Sequence, residues 1–144
     1  MIFKNFCENA NWLAIIVATL AYFFFGAIWY TKILFAKPWM AGHGINAPTA
    51  EEKKTMGGKI AGTMIGSVLI SFISAFVIAI FAYALQSTTA MSGVKLGLAC
   101  GVFASGPICM SYIYLQKPFK LWLIDSGYHV VSYVIVAVII SVWH

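Results

Sequence analysis

Four long apolar runs organise the chain, at about 12–30, 60–85, 94–115 and 121–143, with short polar stretches between them. At about 1.5 Å per residue, each run is long enough to cross a hydrocarbon core about 30 Å thick. The pattern predicts an all-α membrane protein, a four-transmembrane-helix bundle forming a single integral domain over 1–144. Only one connection is long, the loop at 31–59. Its centre, AGHGINAPTAEEKK, starts with turn residues Gly42, Gly44 and Pro48. Thr49 followed by Glu51 and Glu52 then reads as a helix start, with an N-cap and acids in the first turn. A short surface helix is expected to lead into the second span, and His43 is expected to be solvated.

Polar positions interrupt this pattern in one place above all. The last run, KLWLIDSGYHVVSYVIVAVIISVW, carries Asp125 and His129 four residues apart. Ionisable side chains inside a bilayer are costly and usually face a bundle interior or a wet cavity. On a helix, Asp125, His129 and Ser132 fall within about 60° of one another, with Tyr128 alongside. Counted from Leu121, Asp125 sits about 6 Å deep and His129 about 12 Å. The same depth on other helices is also polar: Ser111, Tyr112 and Pro107 on the third, Thr63, Ser67 and Ser71 on the second, Tyr22 on the first. Pro107 cannot donate to the Phe103 carbonyl. The opposite halves of the spans are almost purely apolar.

The candidate ligand-binding residues are therefore Asp125, Tyr128, His129, Ser132, Ser111 and Tyr112. Two readings stand side by side. In the structural one, Asp125 pairs with Lys117, Lys120 or Lys32, and His129 bonds to Tyr112, Ser111 or the Phe103 carbonyl. In the functional one, Asp125 fixes the tautomer and charge of His129, which binds a proton or a polar ligand. Trp12, Trp29, Tyr30, Trp39, Trp122 and Trp143 cluster at helix ends, as interfacial belts do.

Composition agrees with the membrane assignment. The chain is 62% hydrophobic and 9% charged over 144 residues, more apolar surface than a soluble domain of this size can hide. The net charge of +5 comes from lysine alone, and arginine is absent. Lys32, Lys37, Lys53, Lys54 and Lys59 lie in one hairpin loop and Lys117 and Lys120 in the other, against Lys4 and Lys95 on the opposite side. These lysines report orientation rather than nucleic-acid binding, with both hairpin loops cytoplasmic and both termini outside. The first run is too long and ends too bulkily, in FFFGAIWY, for a signal peptide. Cys100 and Cys109, nine residues apart, point to opposite sides of one helix, and no metal or cofactor is expected. HExxH, GxSxG, P-loop and CxxC patterns are missing, so no enzyme is expected.

Small residues recur at four-residue spacing: Gly58, Gly62 and Gly66; Gly97, Gly101 and Ser105; Ala14 and Ala18, with Gly26 two turns on. Such faces let membrane helices approach closely, and they are expected to build the protomer itself rather than an oligomer seam. Gly26–Trp39, GAIWYTKILFAKPW, and Gly106–Phe119, GPICMSYIYLQKPF, share Gly, two Ile, Lys-Pro, Thr against Ser and Trp against Phe. Two parallel two-helix repeats and chance similarity between apolar hairpins account for this equally well.

Three separated motifs, NWLA at Asn11–Ala14, GAIWY at Gly26–Tyr30 and KLWLIDSGYH at Lys120–His129, resemble the domain of unknown function 1761. The resemblance covers nearly the whole chain apart from the loop around His43 to Thr55. It implies a four-helix bacterial inner-membrane protein and no assigned activity. In the family pattern asparagine often stands where this chain has Asp125, which argues against an obligatory charge and a proton-relay role there. The expectation is a small membrane protein that binds a small polar ligand or proton in a cytoplasm-facing pocket, or serves as an accessory subunit. A homo-oligomeric transporter or channel, and a structural partner of a larger complex, are the alternatives. The lipid bilayer is the one partner that the sequence itself specifies.

Overall fold

A computed structural model describes residues 2–46 and 48–143. Among the described residues the regular elements are all helices: α1 (Ile2–Asn9), α2 (Trp12–Trp29), α3 (Ala36–His43), α4 (Ala50–Thr55), α5 (Gly57–Ala84), α6 (Ala90–Tyr114) and α7 (Phe119–Val142). Four of them, α2, α5, α6 and α7, are long and apolar enough to cross a membrane. They follow the four apolar runs, and the largest shifts are early starts. Helix α6 begins at Ala90 because Thr89 caps it, its hydroxyl accepting from the Ser92 amide. Helix α5 begins at Gly57 because Met56, itself helical, carries α4 straight into it.

The surface helix expected after Pro48 is α4, and its cap is complete. The Thr49 hydroxyl accepts from the Glu52 amide while the Glu52 carboxylate accepts from the Thr49 amide. Two short helices were not expected. Helix α3 occupies the start of the long loop; Pro38 sits in its first turn, where a missing N–H costs nothing, and Gly44 closes it in the left-handed region at φ 70°. Helix α1 precedes the first span and buries Phe6, whose ring meets Phe76 and Tyr83 edge-on.

Helix α7 lies at the centre, touching α2, α3, α5 and α6. Its tightest neighbour is α6. A Cβ at Gly93, Gly97 or Gly101 would come within 2.8, 2.4 and 2.6 Å of the Cα atoms of Val138, Val134 and Val130. Backbone meets backbone there, and only glycine fits. Gly26 on α2 likewise leaves room for the Tyr128 ring. Both hairpin connections therefore gather at one end of the molecule. At the other end the Asn11 side chain donates to the Trp143 carbonyl at 3.1 Å, and Ser87 bonds Ser141 at 2.7 Å.

Helix α5 overturns one expectation. Gly58, Gly62 and Gly66 meet nothing within 4 Å, and residues 57–67 are all exposed. Its buried residues begin only at Ser71, followed by Ala75, Ile78, Ala79 and Ala82. The first half of α5 thus stands away from its neighbours, and its glycine stripe does not build the protomer. Below Ser71 the alanines take over that role, with Ala75 and Ala79 buried in the core.

Candidate functional site

Asp125 is the only aspartate in the chain and the only acidic residue in a span. It projects from the second turn of α7 into the end where the hairpin connections meet. Three donors converge on its carboxylate. The Tyr30 hydroxyl, just past the end of α2, donates to Oδ1 at 2.6 Å, and the Trp39 indole N–H of α3 donates to the same oxygen at 3.0 Å. The Tyr112 hydroxyl of α6 donates to Oδ2. Charge-assisted bonds of this kind are roughly twice as strong as neutral ones, and three of them offset much of the cost of removing a carboxylate from water.

No lysine takes part: among the described residues Lys4–Glu8, at the other end, is the ion pair formed, at 3.9 Å. The expected tie from Asp125 to Lys117, Lys120 or Lys32 is replaced by neutral donors from three separate elements. His129 also finds a different partner from those expected. Its Nδ1 lies 3.0 Å from the Tyr22 hydroxyl of α2, and its ring packs against Tyr128 and Tyr133. No hydrogen bond joins it to Asp125. The two groups one helical turn apart belong to adjacent networks, so Asp125 does not set the tautomer of His129 by direct contact.

His43, expected to be solvated, is half-buried and joined to the site. Its Nδ1 donates to the Trp39 carbonyl at 2.9 Å, and its Nε2 lies 3.3 Å from the Tyr112 hydroxyl. A tyrosine has one hydroxyl proton, and that of Tyr112 goes to Asp125. The Tyr112 hydroxyl thereby joins His43 to Asp125 in one chain of contacts.

These side chains border a cavity of about 600 Å³ lined by Tyr30, Trp39, Met40, Thr63, Ser67, Ile108, Asp125, Tyr128 and His129, with Ala36. Helix α7 supplies the polar groups, α2 and α3 the aromatic wall, and the exposed part of α5 the hydroxyls. Of the sequence candidates, Asp125, Tyr128 and His129 line the cavity, and Tyr112 reaches it through Asp125. Ser132 does not: it is fully enclosed beside Tyr128 and makes no hydrogen bond of ordinary geometry. Ser111 is exposed, its hydroxyl donating to the Pro107 carbonyl.

Tyr30, Trp39 and His43 were missed by sequence reasoning. The first two sit at helix ends as interfacial belts do, yet a phenol O–H and an indole N–H drawn inward need an acceptor, and one half-buried carboxylate invites them. Trp29 and Trp122 also turn inward, donating to the carbonyls of Ile124 and Ser105, both at 3.1 Å. Burial combined with the hydrogen bond to Asp125 raises the Tyr30 phenol above the ordinary tyrosine range. Among the described residues no His, Cys, Asp and Glu cluster could hold a metal ion.

A second cavity of about 800 Å³ lies at the opposite end, between α1, α2, α5 and the end of α7. Its polar groups are uncharged amides and hydroxyls such as Asn5, Asn9, Asn11 and Gln86. It holds no titratable group comparable to Asp125.

The sequence model of one family, described as a protein of unknown function (DUF1761), matches residues 13–141. No curated protein and no solved structure matches.

Proposed function

The chain belongs to the DUF1761 family of proteins of unknown function, and from that premise we propose that it binds a small ligand in the Asp125 cavity. The observation that carries this is a half-buried carboxylate, fixed by three donors from three elements, left facing an open space. A purely structural tie would end in packed side chains. A cavity lined by aromatics with a few convergent polar groups is the usual form of a small-molecule site. The lysine distribution supports a cavity facing the cytoplasm with both termini outside, and the family resemblance supports a bacterial inner membrane crossed by the four long helices as one bundle. The protein then serves as a small-ligand receptor or accessory subunit, a reading supported by a chain that carries no HExxH, GxSxG, P-loop or CxxC pattern.

Stability in detergent tests this reading. Asp125→Asn and His129→Ala are expected to melt no more than a few degrees below the parent, or above it, because polar groups kept for binding are held at a cost. Both are expected to lose the thermal shift given by any ligand found in a screen of small metabolites. A loss of many degrees in both variants, with broken assembly, would mean that the cluster is a structural tie.

A second reading, a homo-oligomeric transporter or channel, is favoured by the exposed first half of α5. Its stripe Gly58, Gly62 and Gly66 is free to receive a helix from another copy, beside Thr63 and Ser67 of the cavity wall.

A further inference from the structure

Resting on the cavity as a ligand site, we infer that its ligand is an organic cation of the alkylammonium class with an apolar body. Charge comes first. Asp125 is the sole acidic residue lining the cavity, and no lysine lines it. The hydrogen bonds it receives come from Tyr30, Trp39 and Tyr112, none of which carries a positive charge. The histidines nearby are His129, engaged with Tyr22, and His43, which reaches the carboxylate only through Tyr112. A carboxylate accepting three bonds still has a lone-pair direction to spare, since two oxygens offer about four acceptor sites.

The walls point the same way. Tyr30, Trp39 and Tyr128 lie within one ring cluster, with centroids 5.6 Å apart for Tyr30–Trp39 and 5.4 Å for Tyr30–Tyr128. Electron-rich rings beside a carboxylate are the environment that quaternary and alkylated ammonium groups prefer, because the ring quadrupole attracts a cation that needs few hydrogen bonds. An anion would meet Asp125 unshielded. A sugar or other polyhydroxyl ligand would find few unengaged groups, since the Thr63 and Ser67 hydroxyls already donate to backbone carbonyls of their own helix. Met40, Ile108 and Ala36 provide an apolar floor for the rest of the molecule. The wall formed by α5 is exposed on its outer side from Gly57 to Ser67, so an amphiphilic cation can arrive from the lipid.

Two isosteric probes separate charge from shape: benzyltrimethylammonium and neutral neopentylbenzene, titrated into the detergent-solubilised full chain by calorimetry. The wild-type protein is expected to bind the cation and to bind the neutral probe at least about tenfold more weakly. Asp125→Asn is expected to erase that difference. Tyr128→Leu, which leaves the three donors to Asp125 in place, is expected to weaken the cation about fivefold through its lost ring face. Circular dichroism and gel filtration establish that each variant is folded. Equal binding of both probes, unchanged in Asp125→Asn, would overturn the cation assignment and leave the cavity standing as an apolar ligand site. Binding of neither probe to the wild-type protein would also overturn it, while any other compound whose thermal shift depends on Asp125 would preserve the ligand-site reading.

Discussion

Asp125 is held by geometry rather than by a counter-charge, and each donor can be removed alone. Tyr30→Phe leaves the carboxylate with Trp39 and Tyr112, so the expected loss at neutral pH is about 1.5 kcal/mol, the lower end for one bond to a charged group because the pair is only half-buried. The same residue predicts an alkaline signature. Its folded phenol titrates above the ordinary value of 10.0, chiefly because burial disfavours the phenolate and then because the Asp125 carboxylate is beside it. That contribution is fully present below pH 10, where the unfolded tyrosine keeps its proton, and is lost as pH rises from there through the folded pKa. Chemical denaturation of the parent is therefore expected to show falling stability above about pH 10. In Tyr30→Phe that fall should be shallower. An identical slope in the two proteins would mean that Tyr30 is not buried against Asp125.

At the scale of elements, two glycine stripes that look alike in sequence do different work. On α6, Gly93, Gly97 and Gly101 face backbone atoms of α7 that cannot move aside. Gly97→Val is expected to cost about 3 kcal/mol or more, at the upper end of overpacking penalties, since the obstruction is main chain rather than a side-chain tip. On α5, Gly62→Val meets open space and should change protomer stability by no more than about 0.5 kcal/mol. Its informative readout is assembly size by gel filtration with light scattering. If copies associate through α5, Gly62→Val gives a smaller particle with an unchanged melting curve. An unchanged particle size would count against a homo-oligomeric transporter built on that seam.

For the whole molecule, the first part of the long connection is anchored by the site itself, through α3. Helix α3 rests on α7, where Gly42 lies so close to Leu121 that a Cβ would come within 2.6 Å of its Cδ2. Trp39 then pins α3 to Asp125 and His43 links it to Tyr112. Trp39→Phe keeps the ring and removes the bond. Amide hydrogen exchange in residues 36–43 is expected to quicken about fivefold or more, matching the loss of roughly 1–2 kcal/mol of local closure. Exchange in α6 and α7 should not change. Uniform acceleration across all helices would instead mean that Trp39 supports the global fold.

What could be read from the sequence follows from what the bilayer enforces locally. The four long apolar helices, the capped helix at Thr49 and the gathering of Asp125, Tyr128 and His129 on one face of α7 were legible, because length, apolarity, capping and helical spacing act over a few residues. Tertiary structure alone decided the partners. That Asp125 meets Tyr30, Trp39 and Tyr112 instead of a lysine, and His129 meets Tyr22, depends on which helices adjoin α7. Separations of 95, 86 and 107 residues leave no periodic trace in the chain. The same holds for the glycine stripes: spacing marks a face on which a helix can be approached closely, and only the packed arrangement determines whether anything approaches it.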